Sequence, residues 1–186
     1  MDAMKLLMER ASAVQLKEPG PTEEQLDTML RSALRAPDHG RLRPWHFLVI
    51  AGEHRARFGA LLAESLKSRV PSASPEMLER ERQKALRAPV IVIVAGCIKP
   101  SDKIPEVEQI ISAGAAAEHI MLAAQALGYG AMWRTGEPAY DARVKEGLGL
   151  RPADAIVGII YVGTPGMAPR ESPRPELAEF VTRWQG

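Results

Sequence analysis

Helical and extended patterns of apolar residues alternate along the chain. The first ten residues place methionine and leucine at helical spacing, which predicts a short helix over residues 2–10. A second apolar stripe follows Thr22, which stands three residues before Gln25 in a capping-box arrangement; this helix runs to about Arg35 before Pro37 stops it. Further helices are predicted over residues 53–70, 75–87, 104–127 and 140–148.

The predicted strands are short and apolar. Residues 89–95 form a continuous run rich in β-branched side chains, which suits a strand buried on both faces at the centre of a sheet. Other strands are predicted over residues 45–51, 130–135 and 155–163. Because the helices come in pairs and do not alternate strictly with strands, we expect an α+β or mixed α/β protein. The length of 186 residues favours a single domain over residues 1–186.

Two features predict association with a second copy of the chain. The middle of the 104–127 helix, residues 112–117, carries side chains small enough for another backbone to approach closely. The tail over residues 164–186 is rich in proline but ends with apolar side chains, which fits an extended C-terminal arm that docks on a surface such as a partner subunit. We therefore expect an obligate homodimer.

Charge and cysteine content exclude several classes of function. The chain has 24 Lys and Arg against 23 Asp and Glu, so it lacks the basic surplus that nucleic acids or anionic membranes would need. Its single cysteine, Cys97, cannot form an intrachain disulfide, which fits a reducing cytoplasm, and the N-terminal residues do not resemble a signal peptide. The most apolar long stretch, residues 110–127, is interrupted by Glu118, His119 and Gln125, so we expect a buried helix and no membrane span.

Common catalytic and phosphate-binding motifs are absent. The sequence has no glycine-rich phosphate loop, no serine-hydrolase elbow and no histidine or cysteine spacing typical of a metal site, so we expect no metal. Four polar or aromatic segments remain, over residues 10–12, 35–39, 43–47 and 133–136. Taken alone, each has an ordinary structural explanation, because the helix dipole favours an arginine at a helix end and a tryptophan can pack in a core.

In their order and spacing these segments resemble the nitroreductase family, and specifically its compact YdjA-like subgroup. The resemblance runs over nearly the whole chain. It is carried by Arg10-x-Ser12, Arg35-Ala36-Pro37-Asp38-His39, Pro44-Trp45-His46-Phe47, Ser112-Ala113-Gly114, Gly128-x-Gly130-x-x-Trp133-Arg134-x-Gly136, Val157-Gly158 and Tyr161-x-Gly163-Thr164-Pro165.

The resemblance implies an α+β fold with a mixed central sheet flanked by helices, in a homodimer with two FMN sites at the subunit interface. The long small-residue helix would pack against its mate. By similarity, FMN would bind through its phosphate and ribityl end to Arg10, Ala11 and Ser12, through its ring to Arg35 and His39 from one subunit or the other, and on its other side to Trp133, Arg134 and Thr135. The segment matching an NAD(P) site in the subgroup comprises Ala123, Ala124, Gln125, Ala126, Leu127 and Gly128.

The chain also departs from the family pattern. Ala11 and Gln15 stand where further basic residues are common, while Arg41 and Arg43 stand near Pro-Trp where asparagine and glutamine are frequent. A guanidinium close to the flavin pyrimidine edge would stabilise the negative charge of the reduced flavin. Family members often carry a basic residue after the last strand for the phosphate, a position that Arg170 or Arg174 could fill in this chain.

The family activity implied is transfer of electrons from NAD(P)H through flavin to nitroaromatic, quinone-like or other electron-poor small molecules. The flavin itself supplies the redox chemistry, so no catalytic side chain is required. Two alternatives stay open: a flavoenzyme of the same fold acting on a different metabolite, and a non-catalytic protein that stores or senses FMN.

Overall fold

An antiparallel sheet lies at the centre of the computed structural model, which describes residues 2–168 and 174–186. Its strands are β1 (Leu16–Lys17), β2 (Trp45–Ala51), β3 (Val90–Gly96), β4 (Gly130–Arg134) and β5 (Ala155–Pro165). The helices are α1 (Ala3–Glu9), α2 (Glu23–Ala33), α3 (His54–Arg69), α4 (Pro75–Gln83), α5 (Glu106–Ala126), α6 (Glu137–Tyr140) and α7 (Ala142–Gly147). Short 3-10 turns cover His39–Arg41, Lys84–Leu86 and Leu177–Glu179. The α+β class is confirmed.

Strand β5 organises the sheet. The strands lie in the order β2-β3-β5-β4, and β1 pairs with the last two residues of β5. Strand β5 therefore pairs with three others. Every residue of β3 is buried, which confirms that the continuous apolar run is a central strand.

The prediction of a mixed sheet was wrong, because all four strand pairings in the described residues are antiparallel. Strands β3 and β4 do run in the same direction, since α5 carries the chain back from the end of one to the start of the other. This crossover skips one strand position. Strand β5 fills the gap and runs antiparallel to both neighbours. The apolar pattern alone does not reveal such a gap.

The sheet separates two hydrophobic clusters. Val90, Val92 and Val94 of β3 point toward α5 and α2, whereas the alternate residues Ile91 and Ile93 point toward α3 and α7. Each face of the sheet is thus covered by helices. The side chains of β4 also alternate between the two faces of the sheet, so this strand contributes to both clusters.

Most of the small residues of α5 pack inside the chain, and the packing of this helix against a mate stays a prediction. Ser112, Ala113, Ala116 and Ala117 are buried against the sheet and α2, and of this stretch only residues 114–115 stay partly exposed. Their small side chains let α5 lie close to the sheet of its own subunit. The apolar side chains that α5 leaves exposed lie elsewhere along it and include Val107 and Ile111.

Local signals fixed several helix ends. The Thr22 hydroxyl accepts from the Gln25 N–H and the Gln25 side chain accepts from the Thr22 N–H, which confirms the capping box. The predicted helix over residues 140–148 is divided at Asp141, whose carboxylate caps α7. The apolar side chains of the C-terminal arm, Leu177, Phe180, Val181 and Trp184, are all exposed in the single chain.

Candidate functional site

Arg10 stands where α1 ends and its side chain turns back toward α5. Its Nε lies 3.0 Å from a carboxylate oxygen of Glu118, and the guanidinium is only one quarter exposed. Its Nη1 is buried, with no hydrogen-bond partner among the described residues. A buried guanidinium nitrogen without a partner is costly, so an anion that accepts its hydrogen bonds would be bound favourably there.

The segment containing Arg10, Ala11 and Ser12 lies along the outer edge of β4. The N–H of Ala13 donates to the carbonyl of Ala131 at 2.9 Å, two residues before Trp133. Ala11 is half-buried and Ser12 is exposed. The structure thus brings two of the sequence-predicted segments together on one strand of one chain.

Trp133 lies on the α5 side of β4. Its indole N–H donates to the carbonyl of Val157 at 3.1 Å, and its ring packs beside Gly158 and Gly114. Arg134 follows on the opposite face of the sheet, where it pairs across the strands with Ile159. The three predicted residues Trp133 to Thr135 therefore cannot all direct side chains to one surface, and Arg134 would meet a ligand on the α5 side only through its backbone.

Arg35 and His39 lie on another face of α5. The Ser112 hydroxyl donates to the carbonyl of Pro37 at 2.7 Å, and His39 Nδ1 lies 2.6 Å from a carboxylate oxygen of Glu108. Glu118 follows Ser112 by six residues, or about 120° around the helix axis. One chain therefore does not bring His39 to the Arg10 segment, and the contact of Arg35 with a flavin stays a prediction.

The predicted NAD(P) segment lies at the other end of β4. Residues 123–128 end α5 and precede the strand, whereas Trp133 and Thr135 lie at its far end, and β4 alone is about 13 Å long. Its members are the buried Ala124, the half-buried Ala123 and Gln125, and the exposed Ala126, Leu127 and Gly128. The segment contains no charged side chain, and its role in binding NAD(P) stays a prediction.

One of the two C-terminal arginines proposed for the phosphate lies at the Arg10 segment. Arg174 Nη2 donates to the carbonyl of Arg10 at 2.8 Å and approaches that of Met8 at 3.5 Å. A cation at these carbonyls is favoured because they end helix α1. Arg174 therefore fixes the arm beside Arg10, whereas Arg170 lies outside the described residues.

Arg41 and Arg43 occupy a strained turn. Their φ angles are 57° and 49°, and Gly40 before them has φ 65°. Left-handed backbone is uncommon for arginine and costs about 1 kcal/mol or more per residue. The Asp38 carboxylate holds the turn by accepting from the Arg43 N–H at 2.7 Å. Both arginine side chains are exposed, so their predicted approach to a flavin stays a prediction.

A model of the nitroreductase family matches residues 7–164 of the chain. The chain belongs to the nitroreductase family. A relative from Escherichia coli (strain K12), named "Putative NAD(P)H nitroreductase YdjA", is 41% identical over 183 residues, 98% of this chain and 99% of the relative. A relative from Haemophilus influenzae named "Putative NAD(P)H nitroreductase" is 36% identical over 185 residues, again 98% and 99% of the two chains.

Solved structures of the nitroreductase fold superpose on the whole chain. A nitroreductase-like family protein from Bacillus cereus gives a TM-score of 0.87 at 24% identity, covering 100% of this chain and 97% of that one. A nitroreductase-type protein from Desulfovibrio desulfuricans, solved in complex with FMN, gives a TM-score of 0.77 at 24% identity and covers 100% and 99%. The nitroreductase-like fold is therefore confirmed.

The contact between Arg10 and Glu118 was not predictable from the sequence, because the two residues are far apart along the chain and no local pattern joins them.

In residues 2–168 and 174–186 no group of three or more His, Cys, Asp or Glu could hold a metal ion. Within the same residues, no helix combines the length and the apolar character that a membrane crossing requires. The cytoplasmic location stays a prediction.

Proposed function

We propose that this protein is an FMN-dependent oxidoreductase that passes reducing equivalents from NAD(P)H to an electron-poor small molecule. The observation that carries the proposal is the buried Nη1 of Arg10, which has no hydrogen-bond partner within residues 2–168 and 174–186 and lies next to the strand that presents Trp133. An orphaned guanidinium nitrogen fits the phosphate of a flavin mononucleotide. The names of the E. coli and H. influenzae relatives and the FMN complex of the D. desulfuricans protein support the same conclusion.

The residues around Arg10 fit a phosphate of this kind. Arg10 offers a free hydrogen-bonding nitrogen, the exposed Ser12 hydroxyl lies two residues away, and Arg174 adds a second positive charge at the Arg10 carbonyl. Glu118 opposes them, because its carboxylate already neutralises part of the Arg10 charge. In these contacts of the described residues, two guanidinium groups stand against one carboxylate, which favours an anionic ligand.

When bound, FMN would accept hydride equivalents from NAD(P)H and return electrons to nitroaromatic, quinone-like or related acceptors. The protein would contribute position and electrostatic field. Arg10 and Ser12 would hold the phosphate, and Trp133 with the backbone of Arg134 and Thr135 would line the ring. The hydrogen bond from the Trp133 indole to Val157 fixes that side chain in advance, which reduces the ordering cost of binding.

The working form would be a homodimer. Apolar side chains are exposed on α1 (Met4, Leu7 and Met8), on α5 (Val107 and Ile111) and on the C-terminal arm (Phe180 and Trp184). Exposed apolar area of this extent is typical of an interface. A second chain would also explain how His39, which is remote from Arg10 within one chain, could reach the same flavin together with Arg35. The prediction that they do so belongs to this proposal.

The visible spectrum of the purified protein tests the proposal. We expect a yellow protein whose flavin band bleaches when NADH or NADPH is added without oxygen. A yellow protein that neither nucleotide bleaches would indicate a flavin storage or sensing protein, and a colourless protein that cannot be loaded with FMN would refute both. Light scattering tests the dimer, which a stable monomer that still binds FMN at micromolar concentration would contradict.

A further inference from the structure

A pocket of about 560 Å³ lies on the face of the sheet opposite α5. Leu62 and Leu66 of α3 and Ile159 of β5 form apolar walls, and the end of β4 with the residues after it, from Trp133 to Pro138, forms the rim. A pocket of this volume is typical of sites that bind a small organic ligand. The buried Nη1 of Arg10 does not belong to this pocket, because Arg10 packs against α5 on the other side of the sheet.

Cationic side chains outnumber carboxylates in the lining. Arg69 lies 2.9 Å from Asp141 and 3.5 Å from Glu137, so its charge is compensated. Lys84 is paired in the same way with the buried carboxylate of Glu81. Because Arg69 and Lys84 are both paired with carboxylates, the net charge available to a ligand depends on the other cations of the pocket.

Arg87 and Arg134 are the remaining cations, and neither has a carboxylate within 4 Å in the described part of the chain. They enter from different elements, Arg87 from the turn before β3 and Arg134 from the end of β4. The nearly buried Tyr161 lines the same pocket. Burial raises the pKa of Tyr161 although the charges of Arg87 and Arg134 oppose this rise, so the phenol stays protonated and can donate a hydrogen bond.

We propose that this pocket binds a small aromatic carboxylate, with its anionic group between Arg87 and Arg134 and its ring against the apolar walls. Uncompensated guanidinium groups in a partly enclosed site favour a carboxylate, which can accept hydrogen bonds from both. The Tyr161 hydroxyl supplies a further donor. Leucine and isoleucine side chains favour an apolar body over an inorganic anion.

The test compares 1-naphthoate with 1-naphthamide, a neutral molecule of nearly the same shape, by calorimetric titration of the purified full-length protein. We expect 1-naphthoate to bind at least about tenfold more tightly, since one charge-assisted hydrogen bond contributes about that factor. Arg87→Gln should abolish most of the difference. The matched control is Arg80→Gln, which changes an exposed arginine on the neighbouring helix α4 that does not line the pocket.

Three outcomes would overturn the proposal. Equal binding of the acid and the amide would show that charge is not recognised. Equal losses in Arg87→Gln and Arg80→Gln would place the anion outside the pocket. Displacement of 1-naphthoate by inorganic phosphate at equal concentration would show that the apolar walls contribute nothing. Because binding is measured directly and the protein need not turn over, failure here is distinguishable from failure of the FMN proposal.

Discussion

Replacement of Arg10 by alanine should separate cofactor binding from folding. Among the described residues the guanidinium makes one ion pair, at 3.0 Å, with a Glu118 side chain that is 40% exposed. Exposed pairs of this kind contribute about 0–1 kcal/mol to stability. A charge-assisted hydrogen bond from the buried Nη1 to a phosphate contributes about 1.5–3 kcal/mol. Arg10→Ala should therefore weaken FMN binding about ten- to a hundredfold while the free energy of unfolding changes by about 1 kcal/mol or less.

Quenching of flavin fluorescence on binding measures the affinity. Arg57→Ala is the matched control, because Arg57 is an exposed arginine on α3 whose ion pair with Glu53 is 3.9 Å long. With FMN in excess, Arg10→Ala should turn over at nearly the wild-type rate, since the phosphate end of FMN is remote from its redox-active ring. Equal FMN affinities for the wild type and both variants would refute the assignment of Arg10 to the phosphate.

Three further predictions concern stability and reactivity. Burial alone would raise the pKa of Asp154, but hydrogen bonds from Arg151 and from backbone N–H groups hold it below its usual value. The stabilising effect of the Asp154 carboxylate is therefore present above the unfolded pKa of about 3.9 and is lost as pH falls through the lower folded pKa. In urea titrations between pH 3 and 7, the free energy of unfolding of Asp154→Asn should fall less steeply toward acid pH than that of the wild type. An equally steep fall in both proteins would contradict this. Gly59→Ala should lower stability by about 1–3 kcal/mol in thermal unfolding, because the added Cβ would lie 2.7 Å from the Arg82 carbonyl; an unchanged Tm would show that α3 and α4 can separate freely. Burial, and then the Asp154 carboxylate, raise the pKa of the Cys97 thiol. Cys97→Ala should therefore keep full turnover, and Cys97 of the wild type should react slowly with iodoacetamide at pH 7. Loss of turnover with FMN still bound would assign Cys97 a role.

The helices and central strands were predictable because each follows a local rule. The apolar run of β3 and the capping box at Thr22 each specify their element within a few residues. Strand β1 was not predictable, since its two residues, Leu16 and Lys17, become a strand only by pairing with the end of β5. The antiparallel sheet escaped prediction for the same reason, because strand direction depends on which positions distant segments occupy.

The candidate site was predictable as a set of segments but not as a surface. The sequence placed Arg10 and Trp133 in separate motifs, and the hydrogen bond from Ala13 to Ala131 brings those motifs together in the folded chain. The side on which Arg134 lies follows from strand alternation, yet it could not be assigned until the register of β4 against β5 was known. Contacts such as the one between Arg10 and Glu118 depend on how far apart helices and strands pack, which periodicity does not determine.

The position of β5 has a consequence for biosynthesis. This strand is the last in the described chain, yet it lies between β3 and β4 and also pairs with β1. Until residue 165 has left the ribosome, β3 and β4 each have an unpaired edge, and their apolar side chains lack the cover that they have in the folded chain. Nascent chains shorter than this length should therefore need chaperone protection, and a stop codon placed before Ala155 should yield an aggregating product even though most helices are already complete.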